Sequence, residues 1–307
     1  MTGKQECNQA DGDSCFKLTY PTYLNMRAGC RFYVQACVGV APLVLALLLL
    51  NPKCGEAIEI SEDDLSYQAE RGEGLIFLPV TLPDGGHVTL ISPSRWRSLL
   101  KRLERLLVGE HARFTSLLGP LPPVKTAVQL MEEEHFFKLT QAPKWTNALY
   151  YQGRITVPLS PHKPVDCENL MRAIKHEFAH AIVNAISGGH CPGWLDEGLA
   201  QWAEGSENPA LRPALERWLH IHAPVSLEQL QGGFTRLESS MVPAAYAQSL
   251  YLTKLIIKSF GFQAIRNYLD DLRGFGDRAL AFQNNFGINE QNFERMAALA
   301  LSRWSAQ

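Results

Sequence analysis

His176-Glu177-Phe178-Ala179-His180 sets two imidazoles four residues apart, with a carboxylate beside the first. On a helix this spacing puts both rings on one face, one turn apart, where both can reach a single cation. Zinc accepts imidazole nitrogen at about 2.0–2.1 Å, a distance that neighbouring turns can meet. Glu177 borders the same face, yet stands too close to His176 along the chain to share the ion. It is placed to take a proton from water. Two ligands do not complete a catalytic zinc site, which needs a third protein group and one position left for water. Trp194-Leu195-Asp196-Glu197-Gly198-Leu199-Ala200-Gln201-Trp202 offers a carboxylate on a second helix, with 16 residues between His180 and Glu197. That is a loop's length, enough for an antiparallel helix to bring Glu197 back. Two histidines and a glutamate around zinc form a peptide-hydrolysing arrangement.

The segments from His176 to His180 and from Trp194 to Trp202 resemble the gluzincin peptidases, specifically the bacterial peptidase MA-like family. The resemblance covers roughly residues 124–307. It implies that His176, His180 and Glu197 hold Zn2+ and that Glu177 is the general base. Val183 and Ile186 stand where a metzincin needs Gly and His, so that branch does not fit. Asp196, Glu204 and His190 are the rival third ligands; Asp196 points about 100° away from Glu197 on a helix, and Glu204 lies two turns further on. Ala245-Tyr246-Ala247-Gln248-Ser249-Leu250-Tyr251 resembles a family segment in which a tyrosine donates to the oxyanion. By likeness Tyr246 takes that part, with Tyr251 as its rival and plain helix packing as the alternative. Ala148 to Val157 resembles the strands ahead of the metal helix, where an edge strand aligns extended substrate by backbone pairing. No G-x-M-E-N segment of the aminopeptidase branch is visible, which leans the reading towards an endopeptidase. Gln201, one turn after Glu197, either orients a ligand or packs the helix.

The elements that must position these residues follow from the patterning. The metal helix, expected over 166–187, buries the stripe Leu170, Ile174, Phe178, Ile182 and Ile186 and stops at Gly188-Gly189. Upstream, Leu75 to Val80 and Val88 to Ile91 read as strands around the Asp84-Gly85-Gly86 turn. An amphipathic helix follows from Ser92 or Ser94 to Leu118, its Lys101, Arg102 and Arg105 a solvated face. Strands are expected over Val124–Met131, Asn147–Tyr151 and Arg154–Leu159, with Glu132-Glu133-Glu134 as a solvated turn. After Pro164 the chain reads as helices over 166–187, 194–204, 208–220, 226–231, 243–260, 262–273, 277–285 and 290–304. Ser226 with Gln229 forms a capping-box signal. Strands followed by helices argue for an α+β fold. The resemblance makes this a thermolysin-like core: a small mixed sheet whose edge strand packs on the zinc-binding helix, then a mainly helical C-terminal part. Three regions are expected: a leader over 1–57, a hairpin and helix over 58–123, and the peptidase domain over 124–307.

The leader has its own chemistry. Phe32 to Leu50 is an apolar run with Gln35 as its strongly polar member, just long enough as a helix for a hydrocarbon core of roughly 30 Å. Arg27 and Arg31 precede it, and Glu56, Glu59, Glu62, Asp63 and Asp64 follow, so the basic side stays inside and the body is exported. The same residues also fit a signal peptide starting at Met26 and cleaved near Gly55-Glu56-Ala57. Either way the body is expected in the periplasm or on the extracytoplasmic face, with the membrane as a partner if the segment stays. Cys167 and Cys191 flank a helix roughly 30 Å long, and a disulfide needs Cα atoms within about 7 Å, so they are expected as separate thiols.

A formal net charge of −2 and the lack of a basic run with interleaved aromatics give no reason to expect nucleic acid. His220 and His222 read as surface residues rather than a second metal site. The expected partner is a peptide or protein substrate. A catalytically silent exported scaffold that keeps the zinc site is the alternative from another class, and no damaged ligand points to it.

Overall fold

Alternating and fully apolar strands build one sheet, and the 3.6-residue patterns that follow pack against it. A computed structural model of the chain describes residues 33–36 and 74–305, apart from 145, 207, 235, 236, 275 and 276. The strands are β1 (Tyr33–Ala36), β2 (Leu75–Thr81), β3 (His87–Pro93), β4 (Lys125–Glu132), β5 (Thr146–Tyr151) and β6 (Arg154–Leu159). The helices are α1 (Arg97–Leu118), α2 (Glu133–Thr140), α3 (Cys167–Ser187), α4 (Gly193–Ala203), α5 (Leu211–Ile221), α6 (Val242–Arg273), α7 (Arg278–Phe286) and α8 (Glu290–Ser305). The sheet runs in the order β1-β5-β6-β4-β3-β2. It is mixed: β4 is parallel to both β3 and β6, while β2 with β3, β5 with β6 and β1 with β5 are antiparallel. The fold is α+β, with the helices concentrated after the strands.

The β2–β3 turn is made by Pro83–Gly85, with Asp84 and Gly85 at φ 61° and 76°. Aspartate and glycine are residues that reach this region at low cost. Leu99, Leu100, Leu103, Leu107, Phe114 and Leu118 form the buried stripe of α1 against the sheet and α3. Helix α3 starts on Asp166, whose Oδ1 accepts the Asn169 N–H at 3.1 Å, and ends on Gly188 in the left-handed region. Its expected stripe, Leu170 to Ile186, is wholly buried. The helices expected over 243–260 and 262–273 are the two arms of α6, broken at Gly261 with φ 76° and ψ 174°. The segment expected as a helix over 226–231 reduces to a single 3-10 turn, Gln229–Gln231, held by the Ser226–Gln229 bonds.

Two expectations need correction. Glu132-Glu133-Glu134 is not a solvated turn: Glu132 closes β4, is buried, and meets Arg95 at 3.0 Å, while Glu133 opens α2. The two phenylalanines beyond, Phe136 above all, carry the apolar side of that helix into the core. The helix expected over 32–50 does not begin as one. Tyr33–Ala36 is a strand on the outer side of β5, the side that the resemblance assigns to substrate. Residues 37–50 and the cleavage position near Ala57 lie outside the described residues. Among the described residues, no helix is long and apolar enough to cross a membrane.

Candidate metal centre

Helix α3 carries His176, Glu177 and His180 into the interior, where all three are buried. The two rings stand edge to face with centroids 4.9 Å apart, as neighbouring turns require. After Gly188-Gly189, Pro192 opens α4, which packs back against α3. This return places Glu197 Oε2 3.6 Å from His176 Nε2 and 3.9 Å from His180 Nε2. The ligand atoms of His176, His180 and Glu197 all lie within 4.8 Å of one another.

These residues fit a zinc ion. Glu197 Oε2 is buried and makes no hydrogen bond. Ligand atoms placed tetrahedrally at about 2.0–2.1 Å from zinc are roughly 3.4 Å apart, close to the spacing found here. Four buried carboxylates, Glu177, Asp196, Glu197 and Glu204, surround the two imidazoles. So much buried negative charge is costly unless a cation balances it.

The rival third ligands stand elsewhere. Asp196 Oδ1 lies 2.9 Å from His180 Nδ1, and Glu204 Oε1 lies 2.8 Å from His176 Nδ1. They therefore meet the ring nitrogens that face away from Glu197, an arrangement that fixes ring orientation and tautomer. His190 Nδ1 turns to the Ser187 carbonyl at 3.1 Å and is no part of the cluster. Burial lowers the pKa of His176, but its bonds to Glu197 and Glu204 and the charge of Glu177 outweigh this and leave it raised.

Glu177 Oε2 accepts the Tyr150 backbone N–H from β5 at 2.9 Å, while Oε1 is buried without a hydrogen bond. Burial pushes its carboxyl up to about 7, against the pull of His176 and His180. A carboxyl in that range can both take and return a proton near neutral pH. Tyr246, buried at the start of α6, feels the same centre. Burial, then the charges of Glu197 and Glu177, hold its phenol well above the ordinary value. Its ring stands edge to face on Phe234 at 5.0 Å. The rival, Tyr251, lines a surface groove between α5 and α6 with Arg212 and Lys254.

Gln201 Nε2 donates to the Tyr246 carbonyl at 2.8 Å and to the Glu197 backbone carbonyl at 3.3 Å, so it ties α4 to α6 and meets the backbone of Glu197, not its carboxylate. Gly198 makes that approach possible. A Cβ there would fall 2.0 Å from Thr253 Oγ1 and 2.4 Å from the Ser249 carbonyl. Sequence reading missed three parts: the Tyr150 N–H, the orienting carboxylates, and the close crossing at Gly198. The carboxylates do leave a signal, one residue before and seven after Glu197, but the same spacing reads equally as competing ligands. Cys167 and Cys191 are free thiols, the first accepting from Arg102 at 3.3 Å. His222 stacks on Trp218 at 4.1 Å.

A sequence-family model described as the Peptidase MA superfamily matches residues 136–298, more than half of the chain. The chain belongs to the Peptidase MA superfamily. That span begins within α2 and takes in β5, β6 and every residue of the cluster. No curated protein matches the sequence. Among solved structures, the superfamily member described here is similar to an M1 zinc metallopeptidase from Deinococcus radiodurans. The two are 17% identical over 74% of this chain and 52% of that one, with a TM-score of 0.45. It is also similar to Legionella pneumophila aminopeptidase A, 15% identical over 72% of this chain and 27% of that one, with a TM-score of 0.46. The chain thus spans about half the length of the first of these, and less of the second.

Proposed function

We propose that this superfamily member is a zinc-dependent peptidase in which His176, His180 and Glu197 hold the metal and Glu177 is the general base. The observation that carries the reading is the convergence of Glu197 Oε2 on both His Nε2 atoms, with the Glu177 carboxyl beside them. Zinc, when bound there, supplies an activated water and polarises the scissile carbonyl.

The protein residues do the rest. Glu177 Oε1, which makes no hydrogen bond, takes the proton of the attacking water and returns it to the leaving amine. The Tyr150 N–H holds the other carboxylate oxygen and fixes the angle of the base. The Tyr246 hydroxyl, kept protonated by burial and by the nearby carboxylates, is the donor for the oxyanion of the tetrahedral intermediate. Asp196 and Glu204 keep both imidazoles facing the ion.

Substrate is a peptide or protein, and the lack of a G-x-M-E-N segment leans the reading towards cleavage inside the chain. Thr146 and Asn147 of β5 and Asn169 and Ala173 of α3 line a groove of about 340 Å³ between the two elements. An extracytoplasmic site of action is proposed from the apolar sequence that continues from residue 37 to Leu50 and from the charges that flank it.

The test is Glu177→Gln. It is expected to retain one zinc per chain and to lose about 10²–10⁴-fold in peptide hydrolysis. Hydrolysis at the wild-type rate by that variant, or its persistence after complete zinc removal, would overturn the reading. A wild-type chain that binds zinc and cleaves no member of a diverse peptide library would favour a silent scaffold instead.

A further inference from the structure

Helix α1 precedes the span matched by the family, yet it reaches the helix that carries Glu197. Arg113 of α1 donates through Nη2 to the Ala203 carbonyl at 2.9 Å, at the C-terminal end of α4. Its guanidinium also lies over the Trp202 ring, 4.7 Å from the centroid. Glu110, one turn earlier on α1 and buried, holds Arg113 in place with an Nε–Oε2 distance of 2.8 Å. From the other side Lys175 of α3, the neighbour of His176, approaches Glu110 Oε1 at 3.5 Å. Arg113 and Glu110 thus bridge α3 and α4 beside the metal cluster.

The next residue after Ala203 is Glu204, whose carboxylate fixes His176 Nδ1. The last carbonyls of a helix lack partners within it, and an end left without any tends to fray. The Ala203 carbonyl finds its partner in Arg113, and the Glu204 N–H turns back to the Gln201 carbonyl. The peptide unit joining Ala203 to Glu204 is therefore held at both its carbonyl and its N–H, which fixes the direction from which the Glu204 side chain sets out towards the buried ring.

We infer that Arg113, seated by Glu110, is a positioning residue for the metal centre: it clamps the 202–204 turn so that Glu204 meets His176. The inference rests on the zinc reading above. It assigns α1 a part in metal affinity, through Glu204 and not by contact with the ion.

Arg266 provides the control. It makes a comparable clamp at the C-terminal end of α1, away from Glu204, its Nη1 donating to the Leu118 and Pro120 carbonyls at 3.0 and 2.6 Å. The experiment measures zinc affinity by competition with a chelating dye, and the visible spectrum of the cobalt(II) form, for wild type, R113A, R266A, E204Q and R113A/E204Q. Arg113→Ala is expected to weaken zinc binding about tenfold, the low end for groups that orient ligands, and to shift the cobalt bands. R266A is expected to lower thermal stability with zinc affinity within about twofold of wild type. In the E204Q background, R113A is expected to add little, because both act on one contact. Should R113A not fold, Arg113→Gln, which keeps one N–H for the Ala203 carbonyl, takes its place with a smaller shift expected. Wild-type zinc affinity and an unchanged cobalt spectrum in a folded Arg113 variant would overturn the inference, as would an equal loss in R266A. A wild-type chain that binds no zinc would instead remove the metal reading itself.

Discussion

Glu204 Oε1 lies 2.8 Å from Nδ1 of His176, on the side of the ring opposite to Glu197. With Asp196 on His180 Nδ1, it makes α4 and the residue that caps it the source of both the proposed third ligand, Glu197, and the two groups that orient the imidazoles. A carboxylate on Nδ1 fixes the tautomer with Nε2 available to the metal and raises the basicity of the ring. Glu204→Gln and Asp196→Asn keep shape and lose charge. Each is expected to weaken zinc binding about 10–100-fold, read by chelator competition, while the folded far-UV spectrum is kept.

Tyr246 carries the second expectation. Tyr246→Phe removes the hydroxyl and keeps the ring on Phe234. Loss of one oxyanion donor costs about 10²–10³-fold in kcat, so kcat is expected to fall in that range with KM changed little. Tyr251→Phe, in the groove between α5 and α6, is the comparison and should leave kcat as it is. Steady-state kinetics on one peptide separates the two tyrosines.

Gly198 is expected to tolerate no side chain. Its Cβ would meet the Ser249 backbone carbonyl at 2.4 Å, and backbone cannot rotate away as a side chain can. Gly198→Ala must push α4 from α6 and move Glu197 with it. The variant is expected to lose about 1–3 kcal/mol by urea denaturation, the usual range for overpacking, and to bind zinc more weakly. Unchanged stability together with unchanged zinc affinity would contradict this reading of the crossing.

His111 sets an acid limit on stability. It is wholly buried in α1, neither ring nitrogen makes a hydrogen bond, and burial lowers its pKa despite the charge of Asp84. The folded protein thus binds this proton less readily than the unfolded chain, whose histidine titrates near 6.5. Its contribution is constant above that value and is lost as pH falls below it, with a slope of at most about 1.4 kcal/mol per pH unit. His111→Leu is expected to flatten the fall in denaturant midpoint between roughly pH 6.5 and 5, and to leave the midpoint at pH 8 nearly unchanged.

The sequence alone determined the local features. The four-residue spacing of His176 and His180 forces their rings together on any α-helix, and the buried stripe from Leu170 to Ile186 makes that helix. Alternation and turn chemistry likewise gave β2 to β6, because both depend on neighbours a few residues away; Tyr33–Ala36 reads as helix in sequence and is a strand through its distant pairing with β5. Only the tertiary structure decided which acid faces which nitrogen. Asp196 and Glu197 lie on one short helix and Glu204 caps it, and their positions depend on how α4 is turned against α3 and how closely Gly198 lets it approach α6. The same holds for the Tyr150 N–H on Glu177 and for Arg113 on the Ala203 carbonyl, contacts between residues 27 and 90 positions apart. Local pattern is set by short-range sterics and hydrophobic period, whereas the choice among equivalent carboxylates is set by packing, which no spacing records.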